Sequence, residues 1–139
     1  MDTNKILLAG LVGAVAAFIL GFLSYGLLLT DFFEANSGSA TGVARGDKDM
    51  LWIPMVLGHL AWGLFIAWVF GKWASISTFA GGVRGGAIIG LLVALAFDLI
   101  NYGSTNLMNL TAVIADVVLM TVVTAIVGGV VGVMLGRGK

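Results

Sequence analysis

The sequence predicts an all-α fold, a four-transmembrane-helix bundle formed by one domain of 139 residues. Three observations predict it: 60% of the residues are hydrophobic, only 10% are charged, and the mean hydropathy is +1.09. A soluble domain carries about 25% charged and about 45–50% apolar residues. The composition also excludes a disordered chain, which requires low hydrophobicity. The lack of cysteine excludes a disulfide scaffold.

Four apolar segments account for most of the chain. A helix that crosses the hydrocarbon core needs about 20 mostly apolar residues. Runs of this length lie at 6–30, 50–71, 85–103 and 110–136. The first run is longer than the apolar core of a signal peptide and no small-residue cleavage site ends it, so we expect a retained span. The four segments leave no room for a soluble domain.

The basic residues predict the orientation of the spans. Five of the seven lie at the termini or in the second loop: Lys5, Lys72, Arg84, Arg137 and Lys139. The other two, Arg45 and Lys48, lie in the first loop. Because cytoplasmic segments carry the excess of Lys and Arg, both termini are expected in the cytoplasm. The long first loop, 31–49, would then lie outside, where its polar run could fold over the mouth of the bundle or be mobile.

The two halves of the chain resemble each other. Aligning Tyr25 of the first span with Tyr102 of the third matches several small residues. A second offset lays the second span over the fourth and places His59 on Asp116. The pattern indicates two repeated helical hairpins related by an axis along the membrane normal. The alternative is chance matching between glycine-rich apolar helices.

Glycines recur every four positions in the third and fourth spans. They are Gly82, Gly86 and Gly90, which begin just before the third span and continue into it, and Gly128, Gly132 and Gly136 in the fourth. Small residues at this spacing let helix backbones approach closely in lipid. Contacts within one bundle explain these stripes. Because a further stripe in the first span adds packing surface, we also expect a homo-oligomer, with a dimer favoured, or a membrane-protein partner.

Six polar side chains are predicted to gather in the outer half of the bilayer. They are Tyr25, His59, Asp98, Asn101, Tyr102 and Asp116. With a rise of about 1.5 Å per residue, the His and the two Asp residues reach similar depth on three helices. Ionisable groups within spans usually face the bundle interior or water. The cluster could bind protons or a cation near neutral pH, or it could only fix helix packing. Zinc would require more nitrogen or sulfur ligands.

Other function classes find little support in the sequence. No motif combines a nucleophile, a base and an orienting group, so we expect no enzymatic activity. We expect no cofactor, because the one histidine cannot supply two axial haem ligands and covalent haem attachment needs cysteines. Seven basic residues balance seven acidic ones without a basic cluster, which excludes nucleic-acid binding.

Short stretches of the chain resemble a known kind of membrane protein. The segments 31–33 (DFF), 38–43 (GSATGV) and 97–103 (FDLINYG), followed by Asp116, are similar to small four-span bacterial proteins classified as a domain of unknown function. The resemblance covers mainly the second half of the chain. It implies a bacterial inner-membrane protein and supplies no activity.

Two hypotheses about function remain open. The first is a small proton- or cation-linked transporter or channel. The second is a structural or accessory membrane protein whose glycine stripes pack against a partner.

Overall fold

The computed structural model describes residues 1–138, apart from the side chain of Asp47. Its described part is 80% helical without strands, which confirms the all-α prediction. Four of the helical segments in this part are long and apolar enough to cross a membrane. They are Thr3–Leu28, Trp52–Ala74, Phe79–Ser104 and Leu110–Gly136. The chain is therefore a multi-pass membrane protein.

Two of the four segments change their helical type near one end. The first consists of α1, Thr3–Gly21, and a π-helical stretch, Phe22–Leu28. A short helix, α2, follows at Thr30–Ala35. The second segment consists of α3, Trp52–Trp68, and a π-helical stretch, Val69–Ala74. Wide π turns inside α-helices occur frequently at functional sites.

The other two segments are continuous helices with side-chain caps. Helix α4, Phe79–Ser104, follows Thr78, whose hydroxyl accepts a hydrogen bond from Gly81 N at 3.1 Å. Helix α5, Leu110–Gly136, follows Asn109, whose side chain accepts from Ala112 N at 3.0 Å. Such a cap stabilises a helix by about 1 kcal/mol. The cap also explains why the third span begins at Phe79 rather than at residue 85, where the charge of Arg84 suggested a boundary.

Helices α4 and α5 meet through their glycines. A Cβ atom on Gly82 would lie 2.1 Å from the Gly128 carbonyl oxygen, and one on Gly86 would lie 2.2 Å from the Thr124 carbonyl oxygen. Real Cβ atoms do not approach other atoms below 3.0 Å. The interface contains five of the six predicted packing glycines: Gly82, Gly86, Gly90, Gly128 and Gly132. The sixth, Gly136, faces the Ser77 carbonyl oxygen in the turn before α4. The two stripes thus contact each other within one chain and do not support a dimer interface. The predicted oligomer would have to form through other surfaces.

Helices α1 and α3 approach each other in the same way over part of their length. A Cβ atom on Gly63 would lie 2.3 Å from the Gly10 carbonyl oxygen. On its other side α1 packs against α5, where Gly13 faces Val131. The spatial order of the helices is therefore α3, α1, α5, α4.

This order bears on the predicted repeat, in which α1 corresponds to α4 and α3 to α5. A two-fold axis that exchanged the two hairpins would turn the contact between α1 and α5 into a matching contact between α4 and α3. In the described residues α4 instead packs mainly on α5. The repeat remains a prediction from the sequence.

The two ends of the bundle differ in their connections. The termini and the turn at 75–78 lie at one end, here called the terminal end, where Lys5 Nζ donates to the Arg137 carbonyl oxygen and Lys72 Nζ donates to the Met1 carbonyl oxygen. Residues 29–51 and the turn at 105–109 lie at the other, here called the loop end.

The first part of the long loop is attached to the turn between α4 and α5. Gly38 N donates to the Leu107 carbonyl oxygen at 2.9 Å, and Ala40 N donates to the Asn106 carbonyl oxygen at 3.1 Å. The side chains add a bond, from Asn109 Nδ2 to Asn36 Oδ1 at 3.1 Å. Residues 36–40 thus lie across the end of the α4–α5 pair.

Candidate functional site

A hydrogen bond between two polar side chains joins α1 to α5 near the loop end. Tyr25 Oη donates to Asp116 Oδ1 at 2.5 Å. Tyr25 belongs to the π-helical stretch that continues α1, and Asp116 lies near the beginning of α5. The short distance is typical of a hydroxyl that donates to a carboxylate.

Asp98 of α4 lies beside this bonded pair. It follows Gly82, Gly86, Gly90 and Ala94 at four-residue spacing, all of them buried on the face of α4 that meets α5. The residue is only 9% exposed, and its Oδ2 atom has no hydrogen-bond partner among the described residues. Its carboxyl group interacts with that of Asp116, and its charge also acts on Tyr25. Three helices therefore contribute one polar group each to a single cluster, named here the carboxyl cluster.

The carboxyl cluster contains two acidic groups. Asp98 is buried, and within the described residues the charged group that acts on it is Asp116, not a basic side chain. Two adjacent carboxylates repel each other when both are ionised, and a buried charge without a partner is strongly destabilising. A single proton between the two carboxyl groups would remove that repulsion. It would also give Asp98 Oδ2 the hydrogen bond that it lacks.

His59 does not join the carboxyl cluster. Its Nδ1 atom lies 2.7 Å from the carbonyl oxygen of Met55, one turn earlier on α3. Its ring contacts Phe18 of α1 edge to face, with 5.2 Å between centroids. Sequence spacing predicts a depth for His59 along its span, but it does not predict the direction in which the ring points.

The remaining two predicted site residues also lie apart from the carboxyl cluster. Asn101 Nδ2 donates to the carbonyl oxygen of Phe97 on its own helix, at 2.9 Å. Tyr102 is 44% exposed. Both were grouped with Asp98 because they lie three and four residues later on α4. Within the described residues neither of them forms a hydrogen bond with Asp98 or Asp116, since Asn101 bonds to its own backbone and Tyr102 is exposed.

A cavity of about 840 Å³ adjoins the carboxyl cluster, between the loop-end halves of α1 and α3 with α5 behind them. Its wall is mostly aromatic and methionine side chains: Phe18, Phe22, Trp52, Trp62, Met50 and Met55. Besides the indole N–H groups of Trp52 and Trp62, the polar groups in the wall belong to Tyr25 and His59. Tyr25 therefore belongs to both features, because its ring lines the cavity while its hydroxyl bonds to Asp116.

Sequence reasoning did not predict this cavity, although a signal was present. On α3 the residues Trp52, Met55, His59 and Trp62 recur three or four positions apart and so share one face of a helix. A stripe of large side chains keeps two helices apart, whereas a stripe of glycines lets them touch. Whether such a stripe fills the core or lines a cavity depends on the side chains of the helix that faces it. Periodicity within one helix does not predict that neighbour.

Comparison with known proteins does not assign the chain to a family. No family model, curated protein or solved structure matches it. The functional conclusion therefore depends on the geometry of the carboxyl cluster and the cavity.

Proposed function

We propose that the protein is a small membrane carrier that binds a proton at the carboxyl pair of Asp98 and Asp116. The observation that supports this function is Asp98 Oδ2, which is buried, has no hydrogen-bond partner and belongs to a carboxyl group beside a second one. One proton supplies the missing bond and cancels one of two adjacent negative charges. Carboxyl groups inside membrane spans commonly belong to proton or ion pathways.

A proton suits the carboxyl cluster better than a metal cation. Calcium takes about six to eight oxygen ligands, and zinc in proteins prefers nitrogen and sulfur. The cluster offers two carboxyl groups and the hydroxyl of Tyr25. Within the described residues, no group of three or more His, Cys, Asp or Glu side chains could hold a metal ion.

The packing of the terminal half favours a carrier over a permanently open channel. Val127, Val131 and Leu135 of α5 are fully buried there. On the other face of α5, the backbones of Gly82 and Gly128 are in direct contact. A proton on the carboxyl pair is therefore separated from the terminal end by close-packed apolar side chains and backbone. Release at that end requires the helices to move relative to one another.

The proposed setting is the inner membrane of a bacterium, with the terminal end in the cytoplasm. Lys5, Lys72 and Arg137 lie at the terminal end, in agreement with the excess of basic residues in cytoplasmic segments. An accessory role through the glycine stripes loses its main support, because these stripes face each other within the chain. Assembly of several copies is compatible with a carrier, although it must use other surfaces.

Proton flux into proteoliposomes tests the proposed function. Purified protein is reconstituted with a pH-sensitive dye inside the vesicles, and proton gradients are imposed in both directions with and without a membrane potential. We expect dye responses above those of empty liposomes for the wild type. Asp98→Asn and Asp116→Asn should reduce them to the empty-liposome level, because an amide cannot accept and release the proton in the same way.

Asp31→Asn is the matched control for this experiment. Asp31 is an exposed carboxylate of α2 at the same end of the bundle, outside the carboxyl cluster, so flux should be unchanged. Because the chain has no cysteine, a Ser39→Cys variant labelled with a membrane-impermeant maleimide in intact cells reports the side on which the loop end lies. Absence of wild-type flux under every gradient, or full flux in a folded Asp98→Asn variant, would contradict the carrier.

A further inference from the structure

The cavity between α1 and α3 has a mostly apolar wall in which His59 offers a hydrogen-bond acceptor. Since a carbonyl oxygen only accepts hydrogen bonds, the contact of 2.7 Å to the Met55 carbonyl requires a proton on His59 Nδ1. In the neutral ring Nε2 then carries a lone pair and no proton. No described residue donates to Nε2.

The position of Gly21 keeps His59 Nε2 accessible. Gly21 lies opposite the ring on α1, and a Cβ atom there would lie 3.3 Å from Nε2. Both residues line the cavity. Because glycine has no side chain, no methyl group of residue 21 stands against Nε2.

The remaining wall determines what kind of molecule fits. Aromatic rings come from both helices, including those of Phe18, Phe22 and Trp62. Binding sites for small molecules typically have volumes of about 300–1,000 Å³ and are mostly apolar with a few placed polar groups. The cavity of about 840 Å³ falls in this range. All of its lining residues except Met50 belong to membrane-spanning segments, so a molecule that dissolves in the bilayer suits it.

We propose that this cavity binds a membrane-soluble molecule with a hydroxylated aromatic ring, of the phenol or hydroquinone class. The ring lies among the aromatic side chains, and its hydroxyl donates a hydrogen bond to His59 Nε2. An alkyl substituent extends along the apolar wall toward the lipid. This inference goes beyond the proton carrier and does not depend on it, since binding requires neither Asp98 nor proton movement.

The choice of a hydroxylated ring follows from the acceptor. A lipid acyl chain would fill the apolar space but would leave Nε2 without a donor. A ketone or ether group brings only lone pairs, which oppose that of Nε2. A hydroxyl supplies the donor, and a flat ring provides the offset-stacked or edge-to-face contacts that aromatic side chains prefer.

A pair of probes that differ only in the donor tests the inference. The probes are 2-decylhydroquinone and its dimethyl ether, each titrated into full-length protein in lipid nanodiscs. Trp52 and Trp62 line the cavity, so quenching of tryptophan fluorescence reports binding. We expect the hydroquinone to bind about two- to tenfold more tightly than the ether, the effect of one net hydrogen bond. This comparison uses the wild-type protein alone.

Two variants then locate the binding site. His59→Phe keeps an aromatic ring but removes the acceptor, so both probes should bind with equal affinity. Gly21→Leu places a side chain in front of Nε2 and should weaken both. Gly103→Leu is the control, because a Cβ atom at Gly103 has nothing within 4 Å and the residue does not line the cavity.

The outcomes separate the possible occupants. Equal binding of both probes to the wild type would identify an apolar site for lipid chains and overturn the proposed hydrogen bond. A preference for the hydroquinone that persists in His59→Phe would place the ligand elsewhere. Lack of any binding would overturn the ligand site and leave the carrier untouched, since proton flux is measured without either probe.

Discussion

The α4–α5 pair and the α1–α3 pair use the same kind of contact over different lengths. Glycines bring α4 and α5 into backbone contact at Gly82, Gly86 and Gly90. Between α1 and α3 the backbone contact is at Gly10 and Gly63, and toward the loop end the two helices enclose the cavity. The comparison teaches that small residues determine where two membrane helices touch and that aromatic residues determine where they separate.

The two pairs consequently suit different roles. The close α4–α5 pair holds Asp98 and Asp116 next to each other in a fixed relation. The α1–α3 pair leaves the space that we propose as a ligand site. Tyr25 connects the two, because it lines the cavity and bonds to Asp116. A change in the cavity can therefore reach the carboxyl cluster through one hydrogen bond.

The largest expected effect comes from breaking the close pair with Gly86→Leu. The Cβ atom would lie 2.2 Å from the Thr124 carbonyl oxygen, and backbone cannot move aside as a flexible side chain can. Overpacking costs about 1–3 kcal/mol and occasionally more, and we expect the upper end of this range. Thermal unfolding in detergent, followed by circular dichroism, measures the loss.

Gly103→Leu on the same helix is the control for Gly86→Leu. Its Cβ atom meets nothing within 4 Å, so the melting temperature should change little. Particle mass in detergent should be measured on both variants. If Gly86→Leu left stability unchanged and shifted the mass, the stripe would be a subunit interface, contrary to the contacts within the chain.

An intermediate effect is expected from Tyr25→Phe. This change removes the hydrogen bond to Asp116 that joins the α1–α3 pair to the α4–α5 pair. Loss of a side-chain hydrogen bond between membrane helices costs about 0.6 kcal/mol on average and up to about 1.7 kcal/mol. Tyr102→Phe is the control, because Tyr102 is 44% exposed and should contribute little. Equal unfolding free energies for the two variants in detergent would show that the bond to Asp116 adds nothing to the contact between α1 and α5.

The contrast between these two tyrosines shows how far the sequence could predict the site. Tyr25 and Tyr102 occupy matching positions in the proposed repeat, and both were predicted to join the carboxyl groups. Only Tyr25 does so, and it lies in a π-helical stretch that apolar periodicity does not reveal. Span positions, glycine stripes and the depth of Asp98 and Asp116 follow from composition and spacing. The direction of a side chain around its helix depends on the neighbouring helices, as His59 shows.

The smallest expected effect, with the opposite sign, comes from Gly58→Ala on the cavity side of α3. A Cβ atom there meets nothing within 4 Å, whereas one on Gly63 would lie 2.3 Å from the Gly10 carbonyl oxygen. Alanine is favoured over glycine in a helix by up to about 1 kcal/mol. Gly58→Ala should therefore raise the melting temperature slightly or leave it unchanged, while Gly63→Ala lowers it. A fall of similar size in both would mean that α1 and α3 remain in contact toward the loop end, which would close the cavity.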